Sequence, residues 1–107
     1  MDLRQIQQEH KKWSTYNFGD QPEWCALLGA QEELGELCHA HLKEVQGIRG
    51  DPEKLREDAK DAIADVTIYL IDYCWRRGWD YQDILEQTWN EVKKRNWKVF
   101  PQNGLTK

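Results

Sequence analysis

Apolar residues recur at helical spacing along almost the whole chain, and no stretch alternates with the period of two that a half-buried strand needs. Only three prolines interrupt the 107 residues, so long helices can run unbroken. The pattern predicts an all-α chain of four helices. The first spans about Leu3 to Trp13, with Leu3, Ile6 and Trp13 as its apolar positions. Residues 14–21 carry Asn17, Gly19 and Asp20 and read as a loop. Pro22 suits a first helical position and opens the second helix, which runs to about Val45. Residues 46–50 contain two glycines, and Asp51-Pro52 then supplies an N-cap followed by proline at N1. The third helix runs to about Arg77 and stops at Gly78. Asp80 caps a fourth helix over about Tyr81 to Asn96. Short connections predict mostly antiparallel neighbours. The single domain has a core of about 3–97, and the tail 98–107 is expected to be flexible.

Composition narrows the partners. The formal net charge is −4, which argues against a surface for nucleic-acid polymers or membranes. No run approaches the roughly 18 apolar residues of a membrane span. The first thirteen residues, MDLRQIQQEHKKW, hold no apolar signal-peptide core, so the cytoplasm is the expected location. Cys25, Cys38 and Cys74 are odd in number and form no C-x-x-C, which suggests buried thiols rather than disulfides or zinc. Six tryptophans are many for this length; they suit packing, or stacking on a base.

Two acidic clusters carry the chemistry: Glu32-Glu33-x-x-Glu36, and Asp58, Asp61 and Asp65 on the following helix. On a helical wheel, Trp24, Leu27, Leu28, Leu34, Cys38, Leu42 and Val45 form the main stripe of the second helix and are expected to face the core. Glu33 and Glu36 lie opposite, with Ala26, Gly29 and Ala40. A solvated face would normally carry Lys, Gln or Arg, whereas small residues let a backbone or a ligand approach. On the third helix Leu55, Ala59, Ala62, Ile63, Val66, Tyr69, Leu70 and Tyr73 form the expected core stripe. Asp58, Asp61, Asp65 and Asp72 line up beside it. Asp65 sits in the run Ala62-Ile63-Ala64-Asp65-Val66-Thr67-Ile68, with no other ionisable side chain. Carboxylates crowded on packed faces call for a cation, and oxygen-only ligands suit Mg²⁺, with Mn²⁺ as a substitute.

These clusters resemble the mark of the MazG-like, all-α nucleoside triphosphate pyrophosphohydrolases, E-E-x-x-E on one helix and E-x-x-D on the next. Glu32-Glu33-Leu34-Gly35-Glu36 matches the first half. Asp65 matches the end of the second, while Ala62 stands at the usual Glu position and Asp61, one residue earlier, is the natural substitute. The likeness covers roughly Trp13 to Trp97. It implies a four-helix-bundle-like, oligomeric protomer with Mg²⁺ held by Glu33, Glu36, Asp61 and Asp65. Glu32 would be a further ligand, a supporting carboxylate or the group that orients water. The implied reaction is NTP + H₂O → NMP + PPi. The resemblance also points to Asn90, Lys93 and Asn96 of the last helix as phosphate contacts. Trp13 and Phe18, around a polar stretch containing Asn17, would take the base.

Two other readings compete. Glu36-x-x-His39 has the spacing of di-iron carboxylate bundles, but those need a second such motif and the third helix contains no histidine. A non-catalytic acidic helical module for interaction or regulation would leave the acids in solvent. The uncovered side of the second helix predicts a homo-oligomer, a dimer or tetramer.

Overall fold

Asp2 starts the first helix with a reciprocal cap: its carboxylate accepts from the Gln5 amide at 2.9 Å, and the Gln5 side chain accepts from the Asp2 amide at 2.8 Å. The computed structural model describes residues 1–106. It contains four helices: α1 (Leu3–Phe18), α2 (Trp24–Gln46), α3 (Pro52–Arg76) and α4 (Tyr81–Val92). Among the described residues there are no strands. Gly47, at φ +65°, ends α2, and its amide donates to the Lys43 carbonyl. Asp51 and Pro52 open α3 as the sequence implies, with the Asp51 carboxylate accepting from the Glu53 amide. Asp80 caps α4 through the Asp83 amide.

Helix α1 continues five residues beyond Trp13. The stretch expected to be a loop is helical to Phe18, and the Asn17 side chain donates back to the Trp13 carbonyl at 2.8 Å. The chain leaves the helix only at Gly19, whose φ of +70° suits glycine. Helix α4 is shorter than expected. Beyond Val92 the chain forms turns in which the Phe100 amide donates to the Asn96 carbonyl and the Gly104 amide to the Phe100 carbonyl.

The central unit is an antiparallel hairpin of α2 and α3. Gly29, early in α2, meets Tyr69, late in α3, and Glu44 at the other end of α2 pairs with Arg56 early in α3. Helix α1 packs on α3, and α4 lies against α1 and α3; no backbone of α1 or α4 approaches that of α2 within 8 Å. Arg4 of α1 reaches Asp80 and Asp83 at the start of α4. Gln7 spans the same joint, donating to the Trp79 carbonyl and accepting from the Tyr81 amide.

The hairpin closes on the opposite face from the one that hydrophobic content suggests. Buried apolar residues are Ala26, Ala40, Ala62, Ile71 and Cys74. Leu27, Leu28, Leu34, Leu42 and Val45, expected in the core, face outward, with Val45 68% exposed. On α3 Ile63 is likewise exposed. Small residues allow the two backbones to approach, and this close contact places the bulky stripe of α2 outside. The chain is consequently open. Its radius of gyration is 17.7 Å, against about 13 Å for a compact chain of this length.

Two glycines of α2 separate packing from propensity. A Cβ on Gly29 would stand 2.3 Å from the Tyr69 ring, whereas one on Gly35 meets nothing within 4 Å. In urea titrations Gly35→Ala should gain up to about 1 kcal/mol from helix propensity. Gly29→Ala should lose roughly 1–2 kcal/mol despite the same propensity gain, because the ring must move.

Candidate functional site

Small residues on the facing sides of α2 and α3 leave an open seam, and the acids stand along it. One cleft of about 310 Å³ is bordered by Glu33, Glu36 and His39 from α2 and by Asp58, Asp61 and Asp65 from α3. Ala40 and Ala62 form its floor. The position held by Ala62 is therefore a packing position, while Asp61 beside it reaches the cleft. Glu33 and Asp65 are half-buried, and Glu36 and Asp61 are exposed at the rim. The apolar neighbours of Asp65 in sequence do not enclose it: Ile63 is exposed, and Ile68 lines the larger cavity beside it. Asp58 is bonded to Lys54 one turn earlier. Glu32 is exposed and outside this cleft.

Loss of hydration, and then the negative charges of Asp65, Glu32 and Glu36, push the Glu33 carboxyl above its ordinary range. A cation in the cleft would relieve that repulsion. Among the described residues, no three His, Cys, Asp or Glu side chains stand close enough together to hold a metal ion. The donor set of the cleft is nonetheless rich in hard carboxylate oxygen, which fits Mg²⁺ or Mn²⁺ with few protein ligands and several waters.

Next to the cleft lies a larger cavity of about 660 Å³, built between α1, the start of α2 and α3. Glu33 and Asp65 border both spaces. The aromatic wall of the cavity is Trp13, Phe18 and Tyr69, and Trp13 and Phe18 meet edge to face at 5.6 Å. Trp13 and Phe18 both line this cavity, although on one helix rather than around a loop. Asn17 does not line the cavity; its amide is engaged with its own helix. Asn90, Lys93 and Asn96 line neither space, and no backbone of α4 approaches that of α2 within 8 Å. The Asn96 side chain instead accepts from the Lys98 and Val99 amides at 3.1 Å.

The cavity is also lined by Asp72, which the wheel set in line with Asp65, and by His10, Ser14 and Gln21, which the sequence reading did not assign to a site. They surround one buried cation. The Arg76 side chain is 5% exposed and bonds to Asp72 through Nε. Its Nη1 donates to the Gln21 carbonyl and its Nη2 to Ser14 Oγ, both at 3.0 Å. It also lies over the Trp75 ring at 4.2 Å. Burial, opposed in part by Asp72, holds the His10 imidazole below its ordinary pKa. The sequence carried a signal for this group. Asp72 follows Asp65 by seven residues, two helical turns on the same face, and His10 and Ser14 flank Trp13 at helical spacing.

No protein-family model, curated protein or solved structure matches this chain. Among the described residues no helix is long and apolar enough to cross a membrane.

Arg76 is the tie between α1, the α1–α2 connection and α3. Arg76→Met would leave Asp72 charged and buried without its partner. Urea unfolding should show a loss of about 3–5 kcal/mol. Asp72→Leu combined with Arg76→Met should recover a large part of that loss; an equal or greater deficit in the double variant would contradict the pairing.

Proposed function

We propose that this chain is a Mg²⁺-dependent nucleoside triphosphate pyrophosphohydrolase, with Mn²⁺ as an alternative ion. The carrying observation is the sharing of Glu33 and Asp65 between an acidic cleft and an aromatic-walled cavity. A triphosphate needs oxygen ligands for its counter-cation, and a base needs flat apolar walls; here the two adjoin. The likeness of Glu32-Glu33-x-x-Glu36 and Asp61-x-x-x-Asp65 to the MazG-like pattern supports the same reading.

Glu33, Glu36, Asp61 and Asp65 would hold the ion. When bound, it would supply charge neutralisation on the phosphate oxygens and a water of lowered pKa. Trp13, Phe18 and Tyr69 would stack on the base and keep water from that end. Glu32, exposed and next to Glu33 in the chain, would orient a water arriving from solvent. Attack at the α-phosphorus then yields a nucleoside monophosphate and pyrophosphate. The role would be removal of aberrant or surplus (deoxy)nucleotides from the cytoplasmic pool.

A panel of NTPs and dNTPs with Mg²⁺ should release pyrophosphate, and orthophosphate as the first product would move the cut elsewhere. Asp65→Ala should keep its helical circular dichroism and lose at least about 100-fold in rate. If the acids serve a non-catalytic interaction module instead, neither pyrophosphate release nor an effect of Mg²⁺ on thermal stability should be seen.

The active form would be a homodimer or homotetramer. The outward stripe of Leu27, Leu28, Leu34, Leu42 and Val45 runs along most of α2, and a stable interface needs about 800 Å² from each partner. Neither α1 nor α4 covers this helix. Sedimentation equilibrium should return a mass of two or four chains. Leu28→Glu with Leu42→Glu should shift it to the monomer.

A further inference from the structure

The cavity has a polar end that cation binding does not use. The Asp72 side chain is 9% exposed. One of its oxygens accepts from Arg76 Nε. The other, Oδ2, lies 3.9 Å from His10 Nε2, beyond hydrogen-bond reach, and both residues line the cavity. Among the described residues nothing else donates to it. Because no fully buried side-chain oxygen lacks a partner among the described residues, this oxygen keeps some contact with solvent, and a ligand donor entering the cavity would replace water there.

The neighbouring imidazole has a defined tautomer. Trp75 Nε1 can only donate, and it stands 3.0 Å from His10 Nδ1. Nδ1 therefore accepts, and the proton of the neutral ring sits on Nε2. The end of the cavity thus presents an acceptor beside a donor, both held by the packing of α1 on α3. Seven residues separate Asp72 from Asp65, so this pair lies roughly 10 Å along α3 from the acidic cleft. That separation suits a nucleoside, with its phosphates at Glu33 and Asp65 and its base reaching the far end between Trp13, Phe18 and Tyr69.

We infer that His10 and Asp72 are specificity-determining residues that read the hydrogen-bonding edge of the base. Asp72 Oδ2 accepts from a ring N–H or exocyclic amino group. His10 Nε2–H donates to the adjacent ring nitrogen or carbonyl oxygen. Stacking alone would accept any flat ring, whereas this pair demands a donor next to an acceptor. Arg76 is a positioning residue here: it fixes the Asp72 carboxylate and leaves one oxygen for the ligand. The inference rests on the nucleotide-hydrolase reading and adds how the base is selected.

The test compares the natural nucleotide turned over best with its analogue lacking the edge donor. The analogue is zebularine triphosphate for CTP, nebularine triphosphate for ATP, N3-methyl-UTP for UTP or N1-methyl-GTP for GTP. Wild type should favour the natural nucleotide by about 100-fold in kcat/KM. Asp72→Asn, which turns an amide N–H₂ towards the ligand, should bring that ratio below about tenfold. His10→Phe keeps the ring contacts with Trp13 and Trp75 and should lower kcat/KM for the natural nucleotide by about tenfold. A wild-type ratio near one would overturn this assignment while leaving hydrolysis intact, and it needs no variant to fold. A large ratio unchanged in both variants would also overturn it. Absence of pyrophosphate from every nucleotide would overturn the hydrolase reading itself, and base reading in catalysis with it.

Discussion

The contact of Gly29 with the Tyr69 ring sets how closely α2 and α3 approach, and much of the molecule follows from that distance. Ala26, Ala40 and Ala62 continue the seam with side chains too small to separate the backbones. Acids interspersed among them on the same helical faces are thereby brought to one line. Had the leucine stripe of α2 closed the hairpin, Glu33 and Glu36 would have faced away from Asp61 and Asp65. The carboxylates sit together because the residues between them are small.

A second constraint joins this hairpin to the rest. Arg76 is buried at the end of α3 and binds Asp72 of its own helix, Ser14 of α1 and the Gln21 carbonyl of the connection. One guanidinium, with donors in several directions, thus fixes three chain segments at once. Its partners Asp72, Ser14 and Gln21 line the cavity that Glu33 and Asp65 also border. Rigid placement matters there, because His10 and Asp72 come from different helices and face the same space. The exposed joint between Arg4 and the start of α4 is a weaker tie; solvent screens such ion pairs.

Several elements were legible in the chain itself. Asp51-Pro52, the paired glycines 47 and 50, and Asp80 mark helix boundaries by local chemistry, and the structure places the helix ends there. The extension of α1 to Phe18 was not legible, because Asn17 and Asp20 read equally well as loop residues; an i to i−4 bond from Asn17 kept the helix going. Burial was misleading on α2. A hydrophobic stripe shows which face leaves water, but not whether it meets the same chain or another surface. The outward leucines of this open fold are that ambiguity made visible.

For the candidate site, spacing alone put Glu33 with Glu36 and Asp61 with Asp65, since residues three or four apart share a helical face. The sequence set Trp13 and Phe18 on either side of a loop, whereas the structure carries α1 through both. Only the tertiary structure decided that Glu33 and Asp65 border both the cleft and the cavity. It also decided that Asn17, Asn90, Lys93 and Asn96 stand apart from them, and that His10 and Asp72 meet across α1 and α3. The reason is geometric. Periodicity within a helix specifies a direction around its own axis, whereas proximity between helices depends on their separation and rotation, which here rest on a glycine, three alanines and one buried arginine.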